Sequence, residues 1–332
     1  MFAIIDYFLI MSKRRLNKQQ TARIQKIQAG FQQGNNSSDY EDGLVISRFS
    51  RHAEIEDTQG NRIHCSIRPN IDSLVAGDNV VWQSTGLGQG VVVSCYPRKT
   101  VLIRTDKREE NKPIAANITQ IFIVVAPKPA ISWTLLDSYL VMAEILQLKA
   151  QIILNKIDLP CLDVQEELIH CYKPLGYGLL FISKENSQSY LPLQQAFQGQ
   201  VSVFVGQSGV GKSSLIERIL PHEKIQVAAI SELSELGCHT TSNSRFYHLP
   251  GGGALIDSPG VRDFCLSNIS SSEAIYGFRE LRDFASKCKF RNCNHRDNPG
   301  CALIAAVNQG LVSSRRYDNF IKITLQLAEQ NY

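Results

Sequence analysis

The sequence predicts three folded units: a small β-barrel, then a doubly wound α/β domain, then a C-terminal helical unit. Five short apolar segments separated by turn residues fill positions 42–106, which is typical of a barrel. From position 113 onward, apolar strands alternate with amphipathic helices, which is typical of α/β domains. The length of 332 residues suits two or three domains.

The barrel is assigned to residues 39–112, and an OB-fold is the leading candidate for it. An SH3-like barrel fits the same pattern almost as well. The predicted strands are Leu44–Phe49, Ala53–Glu56, Arg62–Ile67, Asn79–Ser84 and Gly90–Cys95.

The α/β domain is assigned to residues 113–268. Strands that are apolar throughout indicate a parallel sheet covered by helices on both faces. The predicted strands are Ile121–Ala126, Gln151–Leu154, Leu179–Ile182 and Val201–Val205, followed by a hairpin of Arg245–Leu249 and Ala254–Ile256. The predicted helices are Trp133–Lys149, Val164–Tyr172, Leu191–Phe197 and Ser213–Ile219.

Composition excludes several classes of protein. No run of 18 apolar residues occurs, so no membrane-spanning helix and no membrane partner are expected. The net charge of +4 is too small for a polycation, so contact with nucleic acid requires a local basic patch. Most of the nine cysteines are scattered, which favours reduced thiols. We expect a cytoplasmic protein that is a monomer.

Residues 1–38 are predicted to form a basic tail. Ser12–Gln28 carries six basic residues and no acidic one, as expected for an arm that neutralises phosphates or for a solvated tail without a partner. Met1–Ile10 is apolar but precedes the basic residues, the reverse of a secretory signal. We interpret it as a product of an upstream start codon or as a disordered extension.

A phosphate-binding loop is predicted at positions 206–213, GQSGVGKS, because the motif follows a strand and opens a helix. Its backbone N–H groups and the helix N-terminus suit phosphate oxygens. Lys212 is expected to reach the β- and γ-phosphates, and the Ser213 hydroxyl to bind Mg²⁺. The candidate nucleotide-binding residues are Gly206, Gln207, Ser208, Gly209, Val210, Gly211, Lys212, Ser213 and Ser214.

Asn155-Lys156-Ile157-Asp158 ends a predicted strand and suits guanine. The carboxylate of Asp158 can accept both N1–H and N2–H of guanine, and adenine has no such pair of donors. Asn155 is expected to brace the loop, and Lys156 to lie across the base. Ser183 and Lys184 end the next strand, where a backbone N–H could reach guanine O6.

Asp257-Ser258-Pro259-Gly260 completes the predicted site. Asp257 is placed to hold Mg²⁺ through water, and the Gly260 N–H to contact a γ-phosphate. The base-reading motif precedes the phosphate-binding loop, whereas Ras-like GTPases have the opposite order. A circularly permuted P-loop GTPase domain explains this order, because compact domains with neighbouring termini tolerate permutation.

Cys288, Cys293, His295 and Cys301 supply three thiolates and one imidazole within 14 residues. This donor set suits one tetrahedral, structural Zn²⁺ per chain, in a helical zinc-binding domain assigned to residues 269–332. Basic residues flank these ligands and occur again after them, which favours docking on nucleic acid: Lys287, Lys289, Arg291, Arg296, Arg315 and Arg316.

These motifs resemble the ribosome small subunit-dependent GTPase A family, also called RsgA, YjeQ or YloQ. The matching segments are 155–158, 206–214, 237–241 (GCHTT), 257–264 (DSPGVRDF), 288–295 with 299–301, and 315–317. The resemblance covers nearly all of residues 12–325. It implies a GTPase that acts in late maturation of the 30S subunit, contacts 16S rRNA and is stimulated by that subunit.

The resemblance also implies residue roles. Thr240 or Thr241 would meet Mg²⁺ and the γ-phosphate, with Thr241 assigned as the Mg²⁺ ligand, and His239 would assist catalysis. Val261 stands where Ras has its water-orienting glutamine, so turnover without a partner should be slow. Cys238 departs from the basic residue expected there. Two other functions stay open at this point: an RNA-binding factor with incidental hydrolysis, and a signalling GTPase.

Overall fold

The computed structural model describes residues 40–71, 73–105, 111–221, 244–258 and 269–330. The predicted basic tail and the segments that carry His239, Thr240, Thr241 and Gly260 lie outside these ranges.

Five strands form a barrel whose ends close on each other. They are β1 (Tyr40–Phe49), β2 (His52–Asp57), β3 (Arg62–Ile67), β4 (Asn79–Gly86) and β5 (Gln89–Cys95). The order around the barrel is β1-β2-β3-β5-β4, and β4 pairs again with β1. Buried side chains that include Ile55, Val80 and Val92 fill its interior. The predicted OB-like barrel and its five strands are confirmed.

A hairpin that the sequence did not predict follows the barrel. It consists of β6 (Val101–Thr105) and β7 (Asn111–Ala116), and β7 runs across the proposed boundary between residues 112 and 113. Leu102 and Ala115 are fully buried in a core shared with the α/β domain. The sequence did not predict β7 because it contains Pro113 and begins with polar residues, and proline is disfavoured within strands.

The described part of the α/β domain contains six strands in one sheet. They are β8 (Gln120–Val125), β9 (Lys149–Asn155), β10 (Gly178–Ile182), β11 (Val201–Val205), β12 (Arg245–His248) and β13 (Ala254–Asp257). Their order is β10-β9-β8-β11-β13-β12, with only β12 antiparallel to its neighbour in this domain. The strand before the phosphate-binding loop, β11, is therefore central in this part of the sheet, although three strands of the domain precede it in the chain.

Helices cover this sheet: α1 (Trp133–Ile145), α2 (Leu162–Cys171), α3 (Leu191–Phe197) and α4 (Lys212–Ile219). The helix α1 ends four residues before the predicted Lys149. Gln147 has a left-handed φ of 55°, and the Leu148 N–H donates to the Ala143 carbonyl at 2.8 Å, which terminates the helix. Among the described residues, no helix is long and apolar enough to cross a bilayer.

The barrel and the α/β sheet are joined edge to edge. β12 pairs antiparallel with β1 where Ser47 lies opposite Arg245. Two side-chain contacts accompany this pairing: Arg245 donates to Glu54 at 2.9 Å, and His248 Nε2 lies 2.7 Å from Glu56 Oε1. The two predicted domains thus share one hydrogen-bonded sheet of eleven strands among the described residues.

The C-terminal helices α5 (Arg279–Ala285), α6 (Ala302–Asn308) and α7 (Ser314–Gln330) pack on α1 and α2 within the same core. Arg316 on α7 is 1% exposed. It donates to both carboxylate oxygens of Glu280 on α5, at 2.7 and 3.0 Å, and to Asp137 on α1. Burial alone would lower the pKa of Arg316, but these carboxylates raise it above its usual value, so the guanidinium stays charged.

The prediction that Arg316 belongs to a basic surface is therefore wrong. Arg315 is also engaged, since it forms an ion pair with Glu167 and its guanidinium lies 4.3 Å from the Trp133 ring centroid. The two arginines attach α7 to the α/β domain. Their position in a polar helix gave no signal of this, because the partner carboxylates are distant in sequence.

Replacing Arg316 by alanine is expected to destabilise the protein by about 3–5 kcal/mol, because Asp137 would stay buried without its cationic partner. Urea denaturation measures this change. Arg282→Ala is the control, since Arg282 is exposed and lies 3.9 Å from its neighbour Asp283; it should cost less than about 0.5 kcal/mol. Similar losses in both variants would contradict the prediction.

Candidate nucleotide site and metal centre

The predicted nucleotide-binding motifs meet at one edge of the α/β sheet. Residues 206–211 connect β11 to α4, Asn155 ends β9, Ser183 follows β10, and Asp257 ends β13. These are the carboxyl ends of parallel strands, where open α/β sheets bind ligands. The structure therefore brings together all predicted nucleotide-site residues that it describes.

Two positions of the phosphate-binding loop require glycine because neighbouring groups leave no room for a side chain. A Cβ on Gly206, which has a φ of 138°, would lie 2.1 Å from the Val124 carbonyl oxygen. A Cβ on Gly211 would lie 2.4 Å from Asn155 Nδ2. Only glycine allows the loop to contact both β8 and the base-reading motif in this way.

Lys212 is buried at the start of α4. Its amino group donates to the carbonyls of Gly206 at 2.6 Å and Gln207 at 2.5 Å. The ammonium group therefore lies inside the turn formed by the loop, next to the backbone groups that are expected to meet phosphates. Ser213 is half-buried on the next position, whereas Ser214 is exposed.

The base-reading motif is tied to the phosphate-binding loop by its first two side chains. Asn155 is buried and donates to the Val210 carbonyl at 2.9 Å, which is the predicted bracing contact. Lys156 donates to the Gly209 carbonyl at 2.6 Å and to the Lys128 carbonyl at 3.0 Å. These bonds fix the position of the loop against the end of β9.

Asp158 is held by the side-chain hydroxyl of Ser183, a residue that was predicted to contribute only its backbone N–H. Ser183 Oγ donates to Asp158 Oδ1 at 2.9 Å, while Lys184 is exposed beside it. Ser189 belongs to no motif. Its hydroxyl oxygen accepts from the Ser183 N–H at 3.2 Å and lies 2.6 Å from the Asn186 carbonyl oxygen. The carboxylate is thereby oriented by a chain of two serines.

Gln207 has a role that its place in the motif did not reveal. Its side-chain oxygen accepts from the Ser132 N–H at 2.9 Å, and its side-chain nitrogen donates to the Ala130 carbonyl at 3.2 Å. Ser132 is the N-cap of α1 and accepts from the Leu135 N–H through its hydroxyl. The amide thus attaches the phosphate-binding loop to the start of α1.

The predicted Mg²⁺ ligands are partly described. Ser213 is the second residue of α4, and Asp257 ends β13, which is hydrogen-bonded directly to β11. Hydroxyl and carboxylate oxygens are the donors that Mg²⁺ prefers, so these two residues fit the ion. Thr241, the third predicted ligand, lies outside the described residues, as do His239, Thr240 and Gly260.

Cys288, Cys293, His295 and Cys301 converge, with their ligand atoms all within 4.8 Å of one another. The sulfurs of Cys288 and Cys301 are 3.9 Å apart, too far for a disulfide. His295 Nδ1 lies 3.5 Å from Cys288 Sγ and 3.7 Å from Cys301 Sγ. Tetrahedral zinc with ordinary bond lengths would place two sulfurs about 3.8 Å apart, and sulfur and nitrogen about 3.6 Å apart.

The backbone around His295 supports this arrangement. His295 has a left-handed φ of 60°, and its carbonyl accepts from the Tyr317 hydroxyl at 2.7 Å. Burial lowers the pKa of His295, which favours the neutral imidazole that binds metals. The donor set and its spacing fit zinc.

The exposed face of this loop is basic, as predicted. Lys287, Lys289, Arg291 and Arg296 are all exposed. Lys289 Nζ lies 5.5 Å from the ring centroid of Phe290, which is itself 41% exposed. A cation beside an accessible aromatic ring is a combination that suits phosphates and unstacked bases.

The model of the RsgA GTPase family matches residues 95–267, slightly more than half of the chain. The chain belongs to the RsgA GTPase family. It is accordingly a GTP-hydrolysing enzyme with a circularly permuted nucleotide-binding domain, as the order of its motifs and strands indicates.

Full-length relatives agree with this assignment. A small ribosomal subunit biogenesis GTPase RsgA of Haemophilus influenzae is 42% identical, with 96% of this chain and 97% of the relative aligned. The protein of the same name from Alcanivorax borkumensis is 43% identical over the same shares of the two chains.

Solved structures show the same architecture. YjeQ from Thermotoga maritima aligns with a TM-score of 0.72 and 30% identity, covering 87% of this chain and 99% of that one. YloQ, described as a circularly permuted GTPase, aligns with a TM-score of 0.69 and 26% identity, covering 89% of this chain and 98% of YloQ. The similarity thus extends beyond the nucleotide-binding domain.

Asp158→Asn is expected to weaken GTP binding at least about tenfold, because an amide cannot accept both guanine N–H groups. The same variant should gain affinity for XTP, since xanthine carries a carbonyl where guanine has its amino group. Competition binding measures the affinity of the variant for GTP and for XTP. A variant that loses affinity for both to the same extent would contradict the assigned role of Asp158.

Cys288→Ser is expected to lower the zinc content of the purified protein well below that of the unmodified chain, because a serine hydroxyl is a poor zinc ligand. Metal analysis by mass spectrometry measures this. Cys171→Ser is the matched control, as Cys171 is also half-buried but lies outside the cluster. Equal zinc content in both variants would show that the cluster does not hold the metal.

Proposed function

We propose that this GTPase acts in biogenesis of the small ribosomal subunit, where it serves as a late checkpoint. In this role it binds GTP and GDP and docks on the 30S subunit through 16S rRNA. One observation carries the proposal. A barrel, a permuted GTPase domain and a zinc unit occur together in one chain, and relatives named for this process match that chain over 96% of its length.

The nucleotide site assigns distinct tasks to its residues. The N–H groups of residues 206–211 and the amino group of Lys212 bind the phosphates, where Lys212 exchanges its loop carbonyls for phosphate oxygens. Asp158, oriented by Ser183, accepts the two guanine donors and excludes ATP. Asn155 and Lys156 hold the phosphate-binding loop in place against the end of the strand that carries the base-reading motif.

Ser213, Asp257 and Thr241 are the residues that would hold Mg²⁺. When bound, the ion neutralises charge on the β- and γ-phosphate oxygens. The contribution of the chain is to present hard oxygen donors beside Lys212, from the start of α4 and the end of β13.

Catalysis needs a group that orients the attacking water, and Val261 has no polar side chain for this task. We assign the role to His239, with Thr240 or Thr241 contacting the γ-phosphate. Hydrolysis by the free protein is therefore slow, and docking on the subunit completes the site. His239→Ala that keeps full subunit-stimulated turnover would exclude the histidine.

Docking on RNA is assigned to the exposed basic face of the zinc loop and to the basic tail. The four cations of the loop and Phe290 offer phosphate contacts and a stacking surface. Release follows hydrolysis, as the γ-phosphate no longer holds the segments around Thr241 and Gly260. The protein is assigned as a cytoplasmic monomer.

The proposal predicts that purified 30S subunits stimulate steady-state GTP hydrolysis at least about tenfold at fixed salt, because docking completes the catalytic site. ATP is the nucleotide control and should show no stimulated hydrolysis. Lys212→Ala should abolish stimulation while 30S binding persists, measured by cosedimentation. Absence of stimulation by intact subunits would reject the checkpoint role and favour passive binding to RNA.

A further inference from the structure

The first turn of α1 is held by the phosphate-binding loop on one side. The Gln207 side chain bonds to the Ser132 N–H and to the Ala130 carbonyl, immediately before α1 begins. Any displacement of this turn therefore acts on the backbone at Gln207, one residue from Gly206, whose carbonyl binds Lys212.

The same turn is held by α7 on the other side. The Arg315 guanidinium stacks on Trp133, the first residue of α1, and Thr134 Oγ1 donates to Asn319 Oδ1 at 2.8 Å. One turn further on, Asp137 accepts from Arg316 and from Asn319 Nδ2, the latter at 2.6 Å. Three residues of α7 thus contact three positions of α1.

Aromatic packing adds to these bonds. The rings of Trp133 and Tyr172 are parallel within 12°, with centroids 6.1 Å apart, and the Arg316 guanidinium lies 5.2 Å from the Tyr172 centroid. Tyr172 also donates its hydroxyl to Asp137 at 3.0 Å. Arg316 therefore contacts Asp137 directly and supports Trp133 through the ring of Tyr172.

The same helix, α7, also contacts the zinc ligand loop. The Tyr317 hydroxyl donates to the carbonyl of His295 at 2.7 Å, and the Phe320 ring packs 6.1 Å from the His295 ring. Tyr317 is the next residue after Arg316. The ligand loop, α7, the start of α1 and the phosphate-binding loop therefore form one unbroken series of contacts.

We propose that the zinc unit positions the nucleotide site, with Tyr317, Arg315 and Gln207 as positioning residues. Binding of metal by Cys288, Cys293, His295 and Cys301 fixes the carbonyl that Tyr317 contacts, because a structural zinc orders the loop that holds it. The fixed α7 then holds the start of α1, and Gln207 transmits that position to the loop around Lys212. The unit thereby increases affinity for nucleotide independently of any contact with RNA.

This inference rests on zinc occupying the cluster, which metal analysis of the same preparations tests separately. The experiment is a double-mutant cycle in the zinc-loaded, full-length protein, with affinity for fluorescently labelled GDP as the readout. Tyr317→Phe removes only the hydroxyl that contacts the zinc ligand loop. Gln207→Ala removes the side-chain bonds between the phosphate-binding loop and the start of α1. Residues that act through one series give non-additive effects, whereas independent sites give additive ones.

Tyr317→Phe is expected to weaken GDP binding at least about threefold in the otherwise unmodified protein. In the Gln207→Ala background it should have no further effect. Tyr96→Phe is the matched control, because Tyr96 in the barrel also donates its hydroxyl over 2.7 Å, to Asp42, but lies outside the series. This control should bind GDP like the unmodified protein.

Two results would overturn the proposal: unchanged GDP affinity in Tyr317→Phe with its zinc retained, or equal weakening in both backgrounds. Should Tyr317→Phe lose zinc, Arg315→Lys replaces it in the cycle. That variant keeps a positive charge near Glu167 but removes the planar group that stacks on Trp133. The same expected and contrary results then apply.

Discussion

The buried guanidinium of Arg316 is the interaction on which the placement of the C-terminal helices depends. A charged group removed from water must be met by ionic partners with correct geometry, and here those partners come from two different helices, α1 and α5. Apolar side chains in the surrounding core tolerate small shifts, but a planar fork between two carboxylates does not. The ion pairs therefore determine how α7 lies on the α/β domain, and the apolar core stabilises that arrangement.

Features that depend on neighbouring residues could be predicted from the sequence. The phosphate-binding loop, the Asn155–Asp158 segment and the cysteine cluster each encode a local requirement within about a dozen positions, so spacing alone reveals them. Asp137 and Arg316 are 179 positions apart. Asp137 belongs to no motif. Arg316 lies in the matching segment 315–317, but adjacent arginines in a polar helix are ordinarily solvated. The side-chain roles of Gln207 and Ser189 were missed for a related reason, since a motif specifies residue types but not their tertiary partners.

The nucleotide site also illustrates how little chain order matters to a binding pocket. Its residues come from four loops at one sheet edge, and the geometry of that edge depends on which strands are neighbours. With β11 between β8 and β13, the loop after β11 lies beside the carboxyl ends of both strands, whichever strand the chain visits first. The two loops that the Asn155 and Lys156 side chains link are thus far apart in sequence but adjacent in the fold.

Pairing of β12 with β1 has a mechanical consequence. Domains connected by a flexible linker can swivel independently, but a strand shared through backbone hydrogen bonds transmits rotation. β12 follows the segment that carries His239, Thr240 and Thr241, and its side-chain contacts with Glu54 and Glu56 oppose sliding along the barrel edge. Because the barrel is closed by its own strand pairing, a tilt of β12 would move it as one unit, with the largest displacement at the barrel loops farthest from β12.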